Sequence, residues 1–249
     1  MNQALKDRVA LVTGASSGIG EATALMLAEA GARVAVAARR RERLEDVAKR
    51  IRERGGEALV VEADFGVEAD AQRAVHETEK AFGRLDILVN NAGVMYLEPV
   101  AEADLARWRK MFEINVLGLI AATQAALPGM RSRKDGHIVN IASTAGRIAS
   151  PSGAAYSGTK FAVVAFSESL RKEIYQDRVR VTVVEPGLVA TELREHIGHA
   201  ATQKAINDWA ASVRQLQPED IARAILYAVT QPPHVCVNEI LMRPTDQER

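Results

Sequence analysis

The stretch VALVTGASSGIGEA, residues 9 to 22, decides the fold. It opens with a continuous apolar run, as in a strand buried on both faces, and closes with residues that start a helical pattern. Gly14, Gly18 and Gly20 stand where the strand turns into the helix. Glycines there allow a tight turn and a close approach of backbone to a pyrophosphate. The helix N-terminus then binds the pyrophosphate through free N–H groups and its positive dipole end. The spacing, Gly-x3-Gly-x-Gly, is not the Gly-x-Gly-x2-Gly of the general dinucleotide fingerprint. Alone it would also suit an ordinary glycine-rich turn; its place after the first strand of an alternating chain points to phosphate.

That alternation extends along the chain. Apolar runs at Arg8 to Val12, Arg33 to Ala38, Ala58 to Val61, Leu85 to Asn90, Gly136 to Ile141, Arg178 to Val184 and Val235 to Leu241 read as strands. Between them, Glu21 to Ala30, Arg41 to Arg54, Glu68 to Phe82, Leu105 to Met130, Tyr156 to Gln176 and Pro218 to Thr230 carry apolar residues at intervals of three and four, the period of a helix. The pattern predicts an α/β fold of Rossmann type: one doubly wound parallel sheet of seven strands with helices on both faces. No linker or repeat divides the chain, so residues 1–249 are expected to form one domain. The least regular part, residues 188–217, is expected to be a mobile substrate lid.

Composition narrows the function classes. Thirty-two basic and thirty-two acidic residues leave no net charge, so the electrostatic footprint of a nucleic-acid or anionic-membrane binder is missing. Eight basic residues between Arg39 and Arg54 are interleaved with acidic ones, as on a solvated helix. No apolar stretch approaches bilayer length and no leader pattern opens the chain. The single cysteine, Cys236, excludes an internal disulfide and reads as a small buried residue within the last strand. A cytoplasmic protein is the expectation. His76, His137 and His234 are scattered without ligand spacing, and no metal is expected. His196 and His199 read as surface residues near the lid, Trp108 and Trp209 as packing residues.

The end of the second strand speaks to a nicotinamide cofactor. An NAD site needs an acidic residue there to accept from the ribose 2′-hydroxyl, yet Ala38 occupies the place and Arg39, Arg40 and Arg41 follow. A guanidinium at that point suits the 2′-phosphate of NADP. Downstream, Tyr156 and Lys160 are four apart and share a helix face. An ordinary phenol, with a pKa of about 10, is a poor base near neutrality, and an adjacent ammonium is expected to lower it. Lys160 can also donate to the cofactor ribose. Ser143 follows the fifth strand, at the carboxyl end where open α/β sheets bind ligands, and can hydrogen-bond a substrate oxygen. Asn115 is a polar interruption in the stripe Leu105, Trp108, Phe112, Leu119.

Together these stretches closely resemble the short-chain dehydrogenase/reductase family, in its compact branch, over nearly the whole chain. Thr13-Gly14-Ala15-Ser16-Ser17-Gly18-Ile19-Gly20 is similar to the family's cofactor turn, Asn90-Asn91-Ala92-Gly93 to its sheet-stabilising loop, and Tyr156-Ser157-Gly158-Thr159-Lys160 to its active-site signature. The ending EILMRPTDQ and GHAATQ in the lid look like the clavaldehyde dehydrogenases and the bacterial serine/3-hydroxy-acid dehydrogenases. The resemblance implies an NADP(H)-dependent oxidoreductase that interconverts a carbonyl and an alcohol, with Asn115, Ser143, Tyr156 and Lys160 catalytic. It implies that Asp64 and Phe65 lie at the adenine and that Asn91, Ala92 and Gly93 line the cofactor. Pro186, Gly187, Val189 and Thr191 would hold the nicotinamide carboxamide, and Asn115 a relay water beside Lys160. A homo-oligomer, as a tetramer, is implied too, and the helices Leu105 to Met130 and Tyr156 to Gln176, apolar on more than one face, are its expected contact. The alternative class is a module that binds NADP as a sensor or scaffold and catalyses nothing. Such a module has no need for the tyrosine, lysine, serine and asparagine together.

Overall fold

Seven parallel strands in the order β3-β2-β1-β4-β5-β6-β7 form the sheet: β1 (Val9–Thr13), β2 (Arg33–Ala38), β3 (Ala58–Glu62), β4 (Ile87–Asn90), β5 (Gly136–Ile141), β6 (Val179–Pro186) and β7 (Glu239–Met242). The computed structural model describes residues 3–248. Within β1, Ala10 and Val12 face the layer of α1 (Gly18–Glu29), α2 (Arg41–Glu53) and α8 (Pro218–Val229), where Leu27, Leu44, Val47, Ile221 and Ile225 are buried. Val9 and Leu11 face the opposite layer, α3 (Glu68–Phe82), α5 (Leu119–Arg133) and α6 (Ala154–Ile174), through Ala74, Val75, Ala122, Leu170 and Ile174. The two-residue alternation of a strand thus feeds two helical layers, and this is the doubly wound α/β fold.

Three local departures from the sequence pattern matter for the site. The segment expected as one helix from Leu105 is α4 (Leu105–Phe112), a π-helical turn (Glu113–Gly118) and α5. Contrary to the expectation that no segment reaches bilayer length, the continuous 29-residue helix Leu105–Arg133 is long and apolar enough to cross a membrane by length and composition. Half of its most apolar window is buried inside the protein, because Ala121, Ala122, Ala126 and Met130 pack on the sheet.

The region expected to be irregular contains a further helix, α7 (Ala200–Ser212). His199, expected as a surface residue, caps it: Nδ1 accepts from the Thr202 amide at 3.3 Å and bonds the Thr202 hydroxyl at 2.7 Å.

Cys236 lies outside any strand and is exposed. β7 is an edge strand whose pairing with β6 starts only at Glu239, so the apolar residues Val235 to Val237 precede it.

Candidate active site

The carboxyl ends of the parallel strands open into one cleft of about 860 Å³. At one end stands the glycine turn. Gly14 has φ +65°, and a Cβ there would lie 2.8 Å from the Ala92 Cα, so only glycine lets the turn pack against the loop after β4. That loop is fastened to β1: the amides of Asn91 and Ala92 both donate to the Thr13 hydroxyl at 2.9 Å, and Asn91 Nδ2 donates to the Thr13 carbonyl at 2.9 Å. Ser16, Ser17, Gly18 and Ile19 line the cleft above it, and Gly93 continues the wall. Gly20 stands buried behind the turn, off the cleft wall.

At the end of β2, Ala38, Arg39 and Arg40 reach the cleft. Arg40 donates to Ser16 Oγ at 2.9 and 3.1 Å, to Ser17 Oγ at 2.7 Å, and to Glu192 at 2.9 Å. Arg43 holds the other Glu192 oxygen at 2.6 Å, and these two cations keep the Glu192 carboxyl down at about 2. Arg41 points elsewhere, to Glu45 at 3.3 Å on its own helix. Asp64 and the buried Phe65 line the same end; Asp64 Oδ1 accepts the Gly66 amide at 2.9 Å.

The other end holds Ser143, Tyr156 and Lys160. Ser143 starts a single 3-10 turn after β5; its Oγ accepts the Ala145 amide at 3.1 Å and donates to the Pro186 carbonyl at 3.4 Å, and the residue lines the cleft with Tyr156. Tyr156 and Lys160 lie on α6 and are 8% and 7% exposed. Burial pushes the Tyr156 phenol up to about 12, with the Ser143 side chain pulling the other way, and burial lowers Lys160 to about 8. Lys160 Nζ donates to the Ile141 carbonyl at 2.9 Å and lies 5.7 Å from the Tyr156 ring centroid. The expected lowering of the phenol by its neighbour is therefore reversed here, because removal from water outweighs a cation whose hydrogen bond goes to a different oxygen.

Asn115 sits in the π turn, buried, and off the cleft wall. Its Oδ1 accepts the Val94 amide at 2.8 Å; its Nδ2 donates to the Val94 carbonyl at 2.9 Å and the Thr159 hydroxyl at 3.2 Å. The side chain therefore stitches the loop after β4 to α6. A π turn displaces residues from the regular ladder, a geometry that recurs at functional sites.

Pro186, Gly187, Leu188, Val189 and Thr191 form the wall after β6. Beyond them, Leu193, His196, Ile206 and the 40%-exposed Trp209 overlook the cleft, so Trp209 is a wall residue rather than a packing residue, while His196 is exposed, as expected, at the cleft's edge. Ile206, Trp209 and Ala210 at i, i+3 and i+4 are the signal that marks α7. Gln247 is a further site residue; its Oε1 accepts the Leu188 amide at 2.9 Å. No short-range pattern points to it.

Residues 8–202 match the model of the short chain dehydrogenase family. An uncharacterised oxidoreductase of Staphylococcus saprophyticus is 39% identical over 246 residues, 98% of each chain. One from Staphylococcus aureus is 40% identical over 240 residues, covering 96% of this chain and 98% of its own. Among solved structures, the closed form of a serine dehydrogenase complexed with NADP+ superposes with a TM-score of 0.89 at 34% identity, covering 97% of this chain and 96% of that one. An alcohol dehydrogenase from the archaeon Thermococcus sibiricus, complexed with 5-hydroxy-NADP, gives 0.86 at 29% identity over 97% and 98%. A match of this extent, on a parallel seven-stranded sheet with this cleft, makes the chain an oxidoreductase of the short-chain dehydrogenase family.

Proposed function

We propose that the protein is an NADP(H)-dependent oxidoreductase that interconverts an aldehyde or ketone and the corresponding alcohol. One observation carries this reading: Ser143, Tyr156 and Lys160 stand together on the wall of a cleft that also holds the glycine turn and Arg40. The residues fit the cofactor. A pyrophosphate suits the turn at Gly14 to Ile19, and Arg40, already bonded to Ser16 and Ser17, suits a 2′-phosphate together with Arg39. Asp64 and Phe65 border the adenine. Asn91, Ala92 and Gly93 flank the ribose, and Pro186, Gly187, Val189 and Thr191 take the carboxamide.

NADP(H) held by these residues would supply the hydride acceptor or donor for the substrate carbon. The chain's own part is the proton. With its phenol pushed up to about 12, Tyr156 is protonated at neutral pH and is set to protonate the carbonyl oxygen in reduction. Ser143 orients that oxygen. Lys160 supports the resulting phenolate once its ammonium leaves the Ile141 carbonyl, and a water at the Asn115 turn passes protons from solvent. Residues 188–217, with α7, form the lid over the substrate. The single domain assembles as a homotetramer through the helix Leu105–Arg133, on which Phe112 and Leu117 are exposed, and α6, on which Phe161 is exposed.

NADPH oxidation with a panel of aldehydes and ketones tests the reading. Tyr156→Phe should lower turnover by about 10² to 10⁴-fold while NADPH affinity hardly changes. Near-normal turnover of that variant at neutral pH would remove Tyr156 from the mechanism. NADPH binding with no turnover of any carbonyl would instead favour the sensor module.

A further inference from the structure

Arg147 lies four residues past Ser143 and does not line the cleft. Its Nε and Nη2 donate to the two oxygens of Glu185, both at 2.7 Å, and its guanidinium also pairs with Glu239. Glu185 is 0% exposed and directly precedes Pro186 in β6. A carboxylate withdrawn from water is tolerated only beside a cation that meets it with good geometry, so Glu185 dictates where the Arg147 fork sits.

The turn between Ser143 and Arg147 is gripped from the other side as well. The Gly146 amide donates to the Ser143 carbonyl at 2.8 Å, and a Cβ on Gly146 would lie 2.9 Å from the Lys160 carbonyl oxygen. The turn is thus wedged between the backbone of α6 at Lys160 and a buried ion pair on β6. Ser143 Oγ in turn reaches the Pro186 carbonyl, next to Glu185 in the chain.

We infer that Arg147 is a positioning residue for the carbonyl/alcohol reaction: clamped on Glu185, it fixes the Ser143 hydroxyl between Tyr156 and the substrate oxygen. This rests on the proposed reading of Ser143 and Tyr156. Two variants test it in the NADP-bound protein. Arg147→Lys keeps a cation for Glu185 but loses the two-pronged geometry. Arg147→Met with Glu185→Gln removes both charges, so no buried carboxylate is left unpaired to unfold the chain.

Hydrogen exchange of the amides of residues 144–147 should quicken by about tenfold or more in the double variant. Its kcat should fall by about tenfold, with the KM for NADPH within about twofold of the unmutated value; Arg147→Lys should fall in between. The alkaline limb of the kcat profile should move to higher pH, because the Ser143 side chain, which lowers the Tyr156 phenol, is loosened. A double variant with unchanged exchange, or with unchanged kcat and pH profile, overturns the inference. So does a kcat loss matched by an equal rise in the NADPH KM, which would report general loosening. If the unmutated protein reduces no carbonyl, the functional reading falls and takes this inference with it; an active protein with indifferent variants overturns the inference alone.

Discussion

The Lys160 ammonium is spent on the main-chain oxygen of Ile141, 2.9 Å away, in a site where burial lowers the lysine from 10.5 to about 8. At neutral pH this lysine is charged in both folded and unfolded chains, and the fold bears the desolvation of that charge. Between pH 8 and 10.5 the unfolded chain binds more protons than the folded one, so stability rises with pH across that window. The shift corresponds to on the order of 3 kcal/mol. Lys160→Met should therefore be more stable than the unmutated protein at neutral pH, by roughly 1–3 kcal/mol in urea unfolding without cofactor. The advantage should shrink through the window as pH rises. A variant that is less stable at neutral pH would contradict this account of the strain at the site.

His137 is expected to contribute to the acid limb of stability, together with carboxylates such as Glu192. Its Nε2 is 2.7 Å from the Thr182 hydroxyl, which itself donates to the Val237 carbonyl at 2.6 Å, so Nε2 carries the imidazole proton. Burial, with the Arg180 charge second, lowers the ring from 6.5 to about 3. The unfolded chain takes up a proton there first, so stability falls as pH drops from 6.5 toward 3, by up to about 5 kcal/mol. Melting curves of His137→Gln across that range should fall less steeply than those of the unmutated protein. Parallel curves would assign the acid limb to other groups.

Cofactor choice should respond to the end of β2. Arg40→Ala removes the guanidinium that bridges Ser16 and Ser17 and should weaken NADPH binding by about 10- to 100-fold with little effect on NADH. Ala38→Asp with Arg39→Ala should shift preference toward NAD, since a carboxylate there accepts from a ribose hydroxyl and repels a phosphate. Fluorescence titration with both nucleotides reads the outcome without turnover. Equal catalytic efficiency with both cofactors in the unmutated protein would count against NADP selectivity.

Association should depend on the exposed faces of the helix Leu105–Arg133 and α6. Phe112 and Phe161 are 41% and 45% exposed, and Val164 is half-buried on the same helix as Phe161. Exposed apolar residues of this kind mark a partner contact, and the proposed tetramer would set a second copy of the chain against them about a twofold axis. Val164→Glu should lower the mass seen by light scattering and weaken activity with it. A fully active unmutated chain at 27 kDa would refute the assembly.

Much of the scaffold was legible because burial writes periodicity into sequence. Arg33–Ala38, Gly136–Ile141 and Glu68–Phe82 lie where their apolar spacing placed them, since strands covered on both faces need unbroken runs and α3 buries one stripe. The glycine turn, Ser143, Tyr156 and Lys160 are brought to one cleft by the same strand-to-helix logic. Long-range chemistry left no local trace. The π turn depends on Asn115 meeting Val94, 21 positions away, and Arg147 meets Glu185 across 38, so each charge reads locally as surface. Gln247 reaches Leu188 across 59 positions. Val235 to Val237 read as strand because apolarity does not say where pairing with β6 begins.

The strand order also bears on how the molecule is assembled during synthesis. The sheet grows outward from β1: β2 and β3 are added to one side, and β4, β5, β6 and β7 to the other, each in chain order at a free edge. No strand has to be threaded between two that are already paired. The phosphate-binding half is complete in sequence by β3, whereas Tyr156 arrives two strands later and Leu188 waits for Gln247. In chain order the residues proposed to hold the phosphates are thus made before those proposed to react, and the loop after β4, on which Gly14 packs, closes the turn between the two.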